Sequence, residues 1–355
     1  MSAQDVLAKN SVADFLIELM KIDSTTGKEG QLAAAIKKHF EHENWNVLAQ
    51  PLSKDSSRVN LLITRTANSK PKVIFNTHLD TVPPYLSPVR HENGRISGRG
   101  SNDAKGQIAA MSFALKRLSQ DHPKLAEQVG LLLVVGEETD HVGMIEANEL
   151  DIRPEYLIVG EPTETRFGHA QKGALKLRLD AKGKAAHSGY PEKGLSAIHK
   201  LLDVLSVIRT EQWPKNAELG ETTLNVGLIQ GGQALNALAD NASASLMFRV
   251  VDSAEQILQR VQNIAKASGI DVHVLGINEP VILSKPPKPY DSYTVAFNTD
   301  IPYYKRKDEL KGVYLFGGGS ITNAHGDDEH ILIEELEKAV DVHVDLVTKL
   351  LANSS

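Results

Sequence analysis

Two glutamates stand side by side in Gly136-Glu137-Glu138-Thr139-Asp140, directly after the apolar run 131–135. The run reads as a buried strand, so its exit carries two like charges that cannot both leave water without a partner. A metal resolves the conflict. One carboxylate can hold it while the other stays free to act as a base toward water. Other strand-like runs end in a similar way: 73–77 leads into His78-Leu79-Asp80, and 156–160 into Glu161-Pro162-Thr163. The turn-rich Gly98-Arg99-Gly100-Ser101-Asn102-Asp103 feeds a helix. In open α/β sheets, sites gather at the carboxyl ends of the strands. Histidine with carboxylates is the ligand set of hydrolytic zinc where thiolates are lacking, and this chain has no cysteine.

The elements that must position these residues are legible as patterns. Residues 11–20 and 28–40 have helical spacing, strands read at 45–48, 60–64 and 73–77, and 104–118 is a helix with one apolar face. The first 165 or so residues therefore alternate helix and strand, which predicts a layered sheet with helices on its faces. A different rhythm begins near Lys172: strand 174–181, helix 194–208, strands 222–229 and 242–251, helix 254–267, strand 270–275. That β-α-β-β-α-β order is ferredoxin-like. The Pro-rich Lys285-Pro286-Pro287-Lys288-Pro289 marks a junction, and a helix at 333–351 closes the chain. The expected organisation is a larger domain, 1–171 and 280–355, with a smaller one, 172–279, inserted into it.

The 355 residues suffice for two such domains, and 41% hydrophobic with 24% charged residues is the composition of a globular protein. A net charge of −6 without a basic tract speaks against nucleic acid and against an anionic membrane surface. Residues 1–12 lack the basic and apolar regions of a secretory signal, and no run approaches the length of about 18 apolar residues of a membrane span. The cytoplasm is the expected location.

His78-Leu79-Asp80-Thr81-Val82-Pro83, Gly98 to Gly106, Glu137-Glu138, Gly160-Glu161-Pro162-Thr163 and Ala324-His325 resemble, in order, the signature blocks of the M20 metallopeptidases. The branch most resembled holds acetylornithine deacetylase, succinyl-diaminopimelate desuccinylase and related aminoacylases. The resemblance covers almost the whole chain. It implies an α/β fold: a mixed-sheet zinc-peptidase catalytic domain with an inserted ferredoxin-like α+β lid and dimerisation domain.

It also implies a centre of two zinc ions per subunit, with cobalt or manganese as possible substitutes. His78 would bind one ion and His325 the other. Asp103 would bridge them, and Glu138 and Glu161 would each bind one. Glu137 would be general base and then general acid, and Asp80 would hold His78 from behind. In the inserted domain, which would also form a homodimer, His187 would donate a hydrogen bond to the developing oxyanion, within its own subunit or, as is often the case in the family, from the partner subunit. Asn236 and Arg249 would contact substrate, Arg249 by clamping a carboxylate. Gly318 and Ser320, in the glycine-rich stretch before His325, would present backbone groups to a substrate carboxylate. Each residue has a plainer reading: Asp103 as a helix cap, Asp80 and Asn236 as turn residues, Glu161 as a solvated charge, Arg249 in a structural ion pair, His187 on a surface turn.

The chemistry expected is hydrolysis of the amide bond of an N-acyl amino acid by metal-activated water. Acetylornithine, and with it arginine biosynthesis, is the leading case. The alternative is a dipeptidase or carboxypeptidase on the same centre, acting on short peptides. Two departures touch specificity. Ser320-Ile321-Thr322-Asn323 stands where relatives vary, and 84–90 lacks a tryptophan that many relatives carry.

Overall fold

The computed structural model describes Leu7 and residues 9–352, and it divides into two compact units. Much of the stretch 1–12, on which the expectation of no signal rests, lies outside the described residues. The first unit is Met1–His169, Leu283–Tyr293 and Thr299–Ser355, and the second is Ala170–Ile282 with Thr294–Asn298.

The first unit is built on a mixed sheet. Its strands run in the order Asn46–Pro51, Val59–Thr64, Val129–Val134, Val73–His78, Tyr156–Val159, Gly312–Phe316 and Phe167–Gln171. The four central strands, 129–134, 73–78, 156–159 and 312–316, are mutually parallel. The strands that flank these four are antiparallel to them. Every residue of Val73–His78 and Val129–Val134 is buried, as expected of parallel strands covered on both faces. Helices Lys105–Asp121 and Ile333–Ala352 pack against each other, and Val12–Met20 packs on the first of them. Val12–Met20 starts where Ser11 Oγ accepts the Asp14 N–H at 3.1 Å. Phe15, Phe40, Phe75, Phe167 and Phe316 lie fully buried in the core. A short sheet of His330–Leu332, Arg95–Ser97 and Val89–Arg90 has no counterpart in the sequence reading. Strands of two or three residues are too short to show a period.

In the second unit, Thr223–Gly231, Asn241–Val250, Gly173–Lys182 and Ile270–Asn278 form a wholly antiparallel sheet in that order. With helices Ala197–Thr210 and Ala254–Ala267 this is the ferredoxin-like topology expected from the pattern. Asn241–Val250 alternates strictly between buried and half-exposed positions, so one face supplies the core. Both helices open on a serine cap, Ser196 and Ser253. Among the described residues no helix is long and apolar enough to cross a membrane.

Candidate metal centre

The parallel strands all end on one edge of the first unit's sheet, and the chemistry sits there. Val73–His78 delivers His78 and Asp80, Val129–Val134 delivers Glu137 and Glu138, and Tyr156–Val159 delivers Glu161. Gly136, at φ +76°, makes the turn that points both glutamates back toward the edge. A Cβ there would lie 2.9 Å from Arg58 Nη2 and 3.0 Å from Asp140 Oδ1.

Asp103 stands between the two histidines. Its Oδ1 lies 3.1 Å from His78 Nε2, and its Oδ2 lies 3.3 Å from His325 Nε2. Glu161 Oε1 is 3.8 Å from His78 Nε2, and Glu138 Oε2 is 3.1 Å from His325 Nε2. Each imidazole therefore faces Asp103 and one glutamate of its own. Asp103 does not cap the helix that follows it: Ala104 is the capping residue, and no side chain bonds the first turn.

Asp80 is fully buried and does more than stand behind His78. His78 Nδ1 is 3.0 Å from the Asp80 carbonyl oxygen and 3.4 Å from its Oδ1. The Asp80 carboxylate also accepts the backbone N–H groups of Glu137 and Glu138, at 3.1 and 3.3 Å, and the Thr26 hydroxyl at 2.8 Å. It thus fixes the glutamate pair as well as the histidine.

The electrostatics show which charge the site favours. Burial raises Glu137 well above the ordinary glutamate range, and the charge of Glu161 raises it further. Burial also raises Glu138, with help from Asp103, and raises Glu161 well above its usual value. Burial opposes ionisation of Asp103, yet hydrogen bonds from His325 and His78 outweigh it and hold the group well below the carboxylate range. His325 is pushed up to about 10 by its bonds to Asp103 and Glu138. Burial works against a charged His78, but Asp103 and Asp80 prevail and raise it well above normal. Four carboxylates converge on two imidazoles, and the cluster draws in positive charge. Two divalent cations fit that demand, and the N/O donor set is one that zinc accepts. The donor atoms of His78, Asp103 and Glu138, and those of His78, Glu137 and Glu161, lie within 4.8 Å of one another.

Three neighbours were not singled out from the sequence. His141 Nδ1 lies 2.9 Å from Asp300 Oδ1 and 3.7 Å from Glu137 Oε1, and its ring stacks on Tyr303 at 4.1 Å. Glu329 and Arg99 form a buried ion pair beneath the Asp103 loop. The only sequence cue to His141 was its closeness to Glu137-Glu138. Glu329 closes an acidic run that reads as solvated, and nothing local pairs it with Arg99.

The remaining candidates fall in two places. Gly318 and Ser320 are in the first unit, in the loop that leads to His325. The Gly318 carbonyl accepts from Gln107 Nε2 at 2.8 Å, and Ser320 Oγ is 3.0 Å from Glu164 Oε1. The Gly317 N–H is committed to Thr163 Oγ1 at 2.9 Å, so one amide of the glycine-rich stretch is used within the protein. His187, Asn236 and Arg249 are in the second unit. His187 is exposed, and its Nδ1 accepts the Gly189 N–H at 3.1 Å, which puts the proton of the neutral ring on Nε2. The Asn236 carbonyl accepts from the Ser188 N–H at 2.9 Å, so the two loops are tied together. Arg249 pairs with Thr223 across two strands.

Residues 169–272 match the model of the M20 peptidase dimerisation domain. A peptidase M20 domain-containing protein of Schizosaccharomyces pombe is 36% identical over 320 residues, taking in 90% of this chain and 79% of the relative. A probable carboxypeptidase of Aspergillus clavatus is 33% identical over 98% of this chain and 91% of its own length. Among solved structures, a tripeptidase of Staphylococcus aureus superposes with a TM-score of 0.77 at 20% identity, covering 95% of this chain and 97% of that one. An M20 family metallo-carboxypeptidase of Sulfolobus solfataricus gives 0.76 at 19%, covering 96% and 99%. The fold and its relatives define a hydrolase of linear amide or peptide bonds. The chain belongs to the M20 peptidase family, whose members use metal ions.

Proposed function

We propose that this protein is a two-zinc peptidase that cleaves short peptides beside a free carboxylate, as a carboxypeptidase or dipeptidase does. The observation that carries the reading is Asp103, buried between His78 and His325 with one oxygen toward each. That is the arrangement a carboxylate shared by two cations needs. The substrate class is supported by the relatives called probable carboxypeptidases.

In this reading His78, Glu161 and Asp103 hold one ion, and His325, Glu138 and Asp103 hold the other. When bound, the metals polarise the scissile carbonyl and lower the pKa of water. The protein's own groups do the rest. The Glu137 carboxylate takes a proton from water and delivers it to the departing amine nitrogen. Its raised pKa suits a group that must both accept and donate. Asp80 keeps His78 oriented and the glutamate pair in place. His187 Nε2–H donates to the oxyanion that develops on the former carbonyl oxygen. Arg249, Asn236, Gly318 and Ser320 serve the substrate's carboxylate and backbone. Residues 172–279 form the lid and dimerisation domain of a homodimer.

A second reading, removal of a small acyl group from an N-acyl amino acid such as acetylornithine, rests on the order and spelling of the motif blocks. It uses the same centre and leaves the same kind of product, an amino acid. Hydrolysis of a panel of dipeptides, tripeptides and N-acetyl amino acids by zinc- or cobalt-loaded enzyme, with a chelator control, separates the two. Chelator-sensitive cleavage of peptides is expected. Turnover of acetylated amino acids alone would overturn the peptidase assignment in favour of the deacylase.

A further inference from the structure

Glu329 is wholly buried, four residues beyond His325. Its Oε1 accepts three backbone N–H groups: Gly100 at 2.9 Å, Asp103 at 3.1 Å and Asn102 at 3.3 Å. Its Oε2 receives Arg99 Nη1 at 2.5 Å. One carboxylate therefore holds the whole turn from which Asp103 projects. Arg99 is only 1% exposed, and it reaches the other way as well. Its Nη1 donates to the Gly326 carbonyl at 3.2 Å and its Nη2 to the His325 carbonyl at 3.4 Å. These carbonyls flank the point where His325 takes a left-handed backbone, φ +65°, a conformation that non-glycine residues keep only when their surroundings impose it.

The two halves of the centre are supported unequally. His78 and Glu161 leave directly from the ends of parallel strands, and His78 is braced by Asp80. His325 lies in a loop, its side chain half exposed, more than 200 residues from Asp103 in sequence. The Arg99–Glu329 pair joins the Asp103 turn to the His325 loop through hydrogen bonds, beside those of Asn102 Nδ2 to the Ser320 carbonyl and the Asn323 side chain.

We propose that Arg99 and Glu329 are positioning residues that set the reach between Asp103 and His325, so that the ion held by His325 and Glu138 depends on them far more than the ion held by His78 and Glu161. This rests on the two-metal reading given above. A residue buried only to stabilise the fold would weaken both positions together or neither. Removing a partner that orients metal ligands costs roughly 10- to 100-fold in affinity, and here that loss falls on one of two positions.

The test is titration of the metal-free full-length protein with zinc and with cobalt against a competing chelator, following the visible absorption of the cobalt form. His325→Ala identifies which equivalent belongs to His325. In Glu329→Ala that equivalent is expected to weaken roughly 10- to 100-fold, with an altered cobalt spectrum, while the other, which shares Asp103, weakens far less. Glu329→Gln retains an acceptor for the three amides but sets an NH2 group against Arg99, and it is expected to weaken the same equivalent. Arg99→Lys keeps the charge but loses the guanidinium fork on the two loop carbonyls, and it is expected to weaken the same equivalent. Arg99→Lys and Glu329→Gln also serve if the alanine variant does not fold. Two equivalents of wild-type affinity in Arg99→Lys, or a parallel fall at both positions, would overturn the proposal. A wild-type protein that takes up fewer than two ions would overturn the two-metal reading itself, and this inference with it.

Discussion

His343 sits on the long C-terminal helix with its ring edge-on to Phe75 and Phe316, each at 5.2 Å between centroids. It is fully buried, and neither ring nitrogen has a hydrogen-bond partner. Burial alone pushes its pKa down to about 3, from an ordinary 6.5. The consequence for stability has a definite sign. In the unfolded chain the imidazole gains a proton as the pH falls below 6.5, whereas the folded protein refuses that proton until about pH 3. Between these values the unfolded state binds more protons, so stability falls as the medium is acidified. The slope approaches 1.4 kcal/mol per pH unit, and from pH 7.5 to pH 5 the loss from this one residue comes to about 2 kcal/mol. His343→Phe removes the titrating group and keeps an aromatic ring between the two phenylalanines. Its packing effect is independent of pH, as is any metal effect common to both proteins at each pH. The readout is urea unfolding of wild type and variant at pH 7.5 and pH 5. The variant's stability relative to wild type is expected to improve by about 2 kcal/mol on acidification. A difference that is the same at both pH values would show that the imidazole is not held neutral by burial, and the reasoning would fail.

Two further perturbations probe the frame of the site. Arg58 makes two hydrogen bonds to the wholly buried Glu29, at 2.6 and 3.1 Å; Arg58→Met leaves that carboxylate unpaired and is expected to lower unfolding stability by about 3 kcal/mol, a loss that Glu29→Gln in the same chain should partly reverse. A Cβ on Gly317 would come within 2.1 Å of Gln107 Oε1 and 2.4 Å of the Glu161 carbonyl; Gly317→Ala is expected to cost about 1–3 kcal/mol and to lower metal content through Glu161, and thermal melts with metal analysis matching wild type would contradict the packing described here.

What the sequence revealed, and what it hid, follows from the range of the interactions. The parallel core strands are buried over their whole length and open on apolar runs, and strand 241–250 of the second unit alternates, so both sheets could be read from local pattern. His78, Glu137, Glu138 and Glu161 were visible because each follows directly on a strand that could be recognised. Asp80 was legible as a partner of His78, but its hold on the backbone of Glu137 and Glu138, 57 and 58 residues away, was not. The Arg99–Glu329 pair spans 230 residues and joins two segments with no period at all. Asp300 meets His141 across 159 residues for the same reason. Such contacts are set by the sheet's topology, and no local spacing encodes them. The expectation of an acetylornithine deacetylase depended on motif blocks, and the relatives named as probable carboxypeptidases are why the peptidase reading now stands ahead of it.

In the proposed mechanism Glu137 acts as the proton carrier beside a metal centre that it does not hold. Glu137→Gln keeps the shape and removes the base. Metal content and peptide hydrolysis are measured on the same preparation of this variant and of wild type. The expected result is unchanged metal stoichiometry with turnover lowered roughly 10²- to 10⁴-fold. Wild-type turnover would contradict the role given to Glu137, and loss of a bound metal would make it a ligand instead.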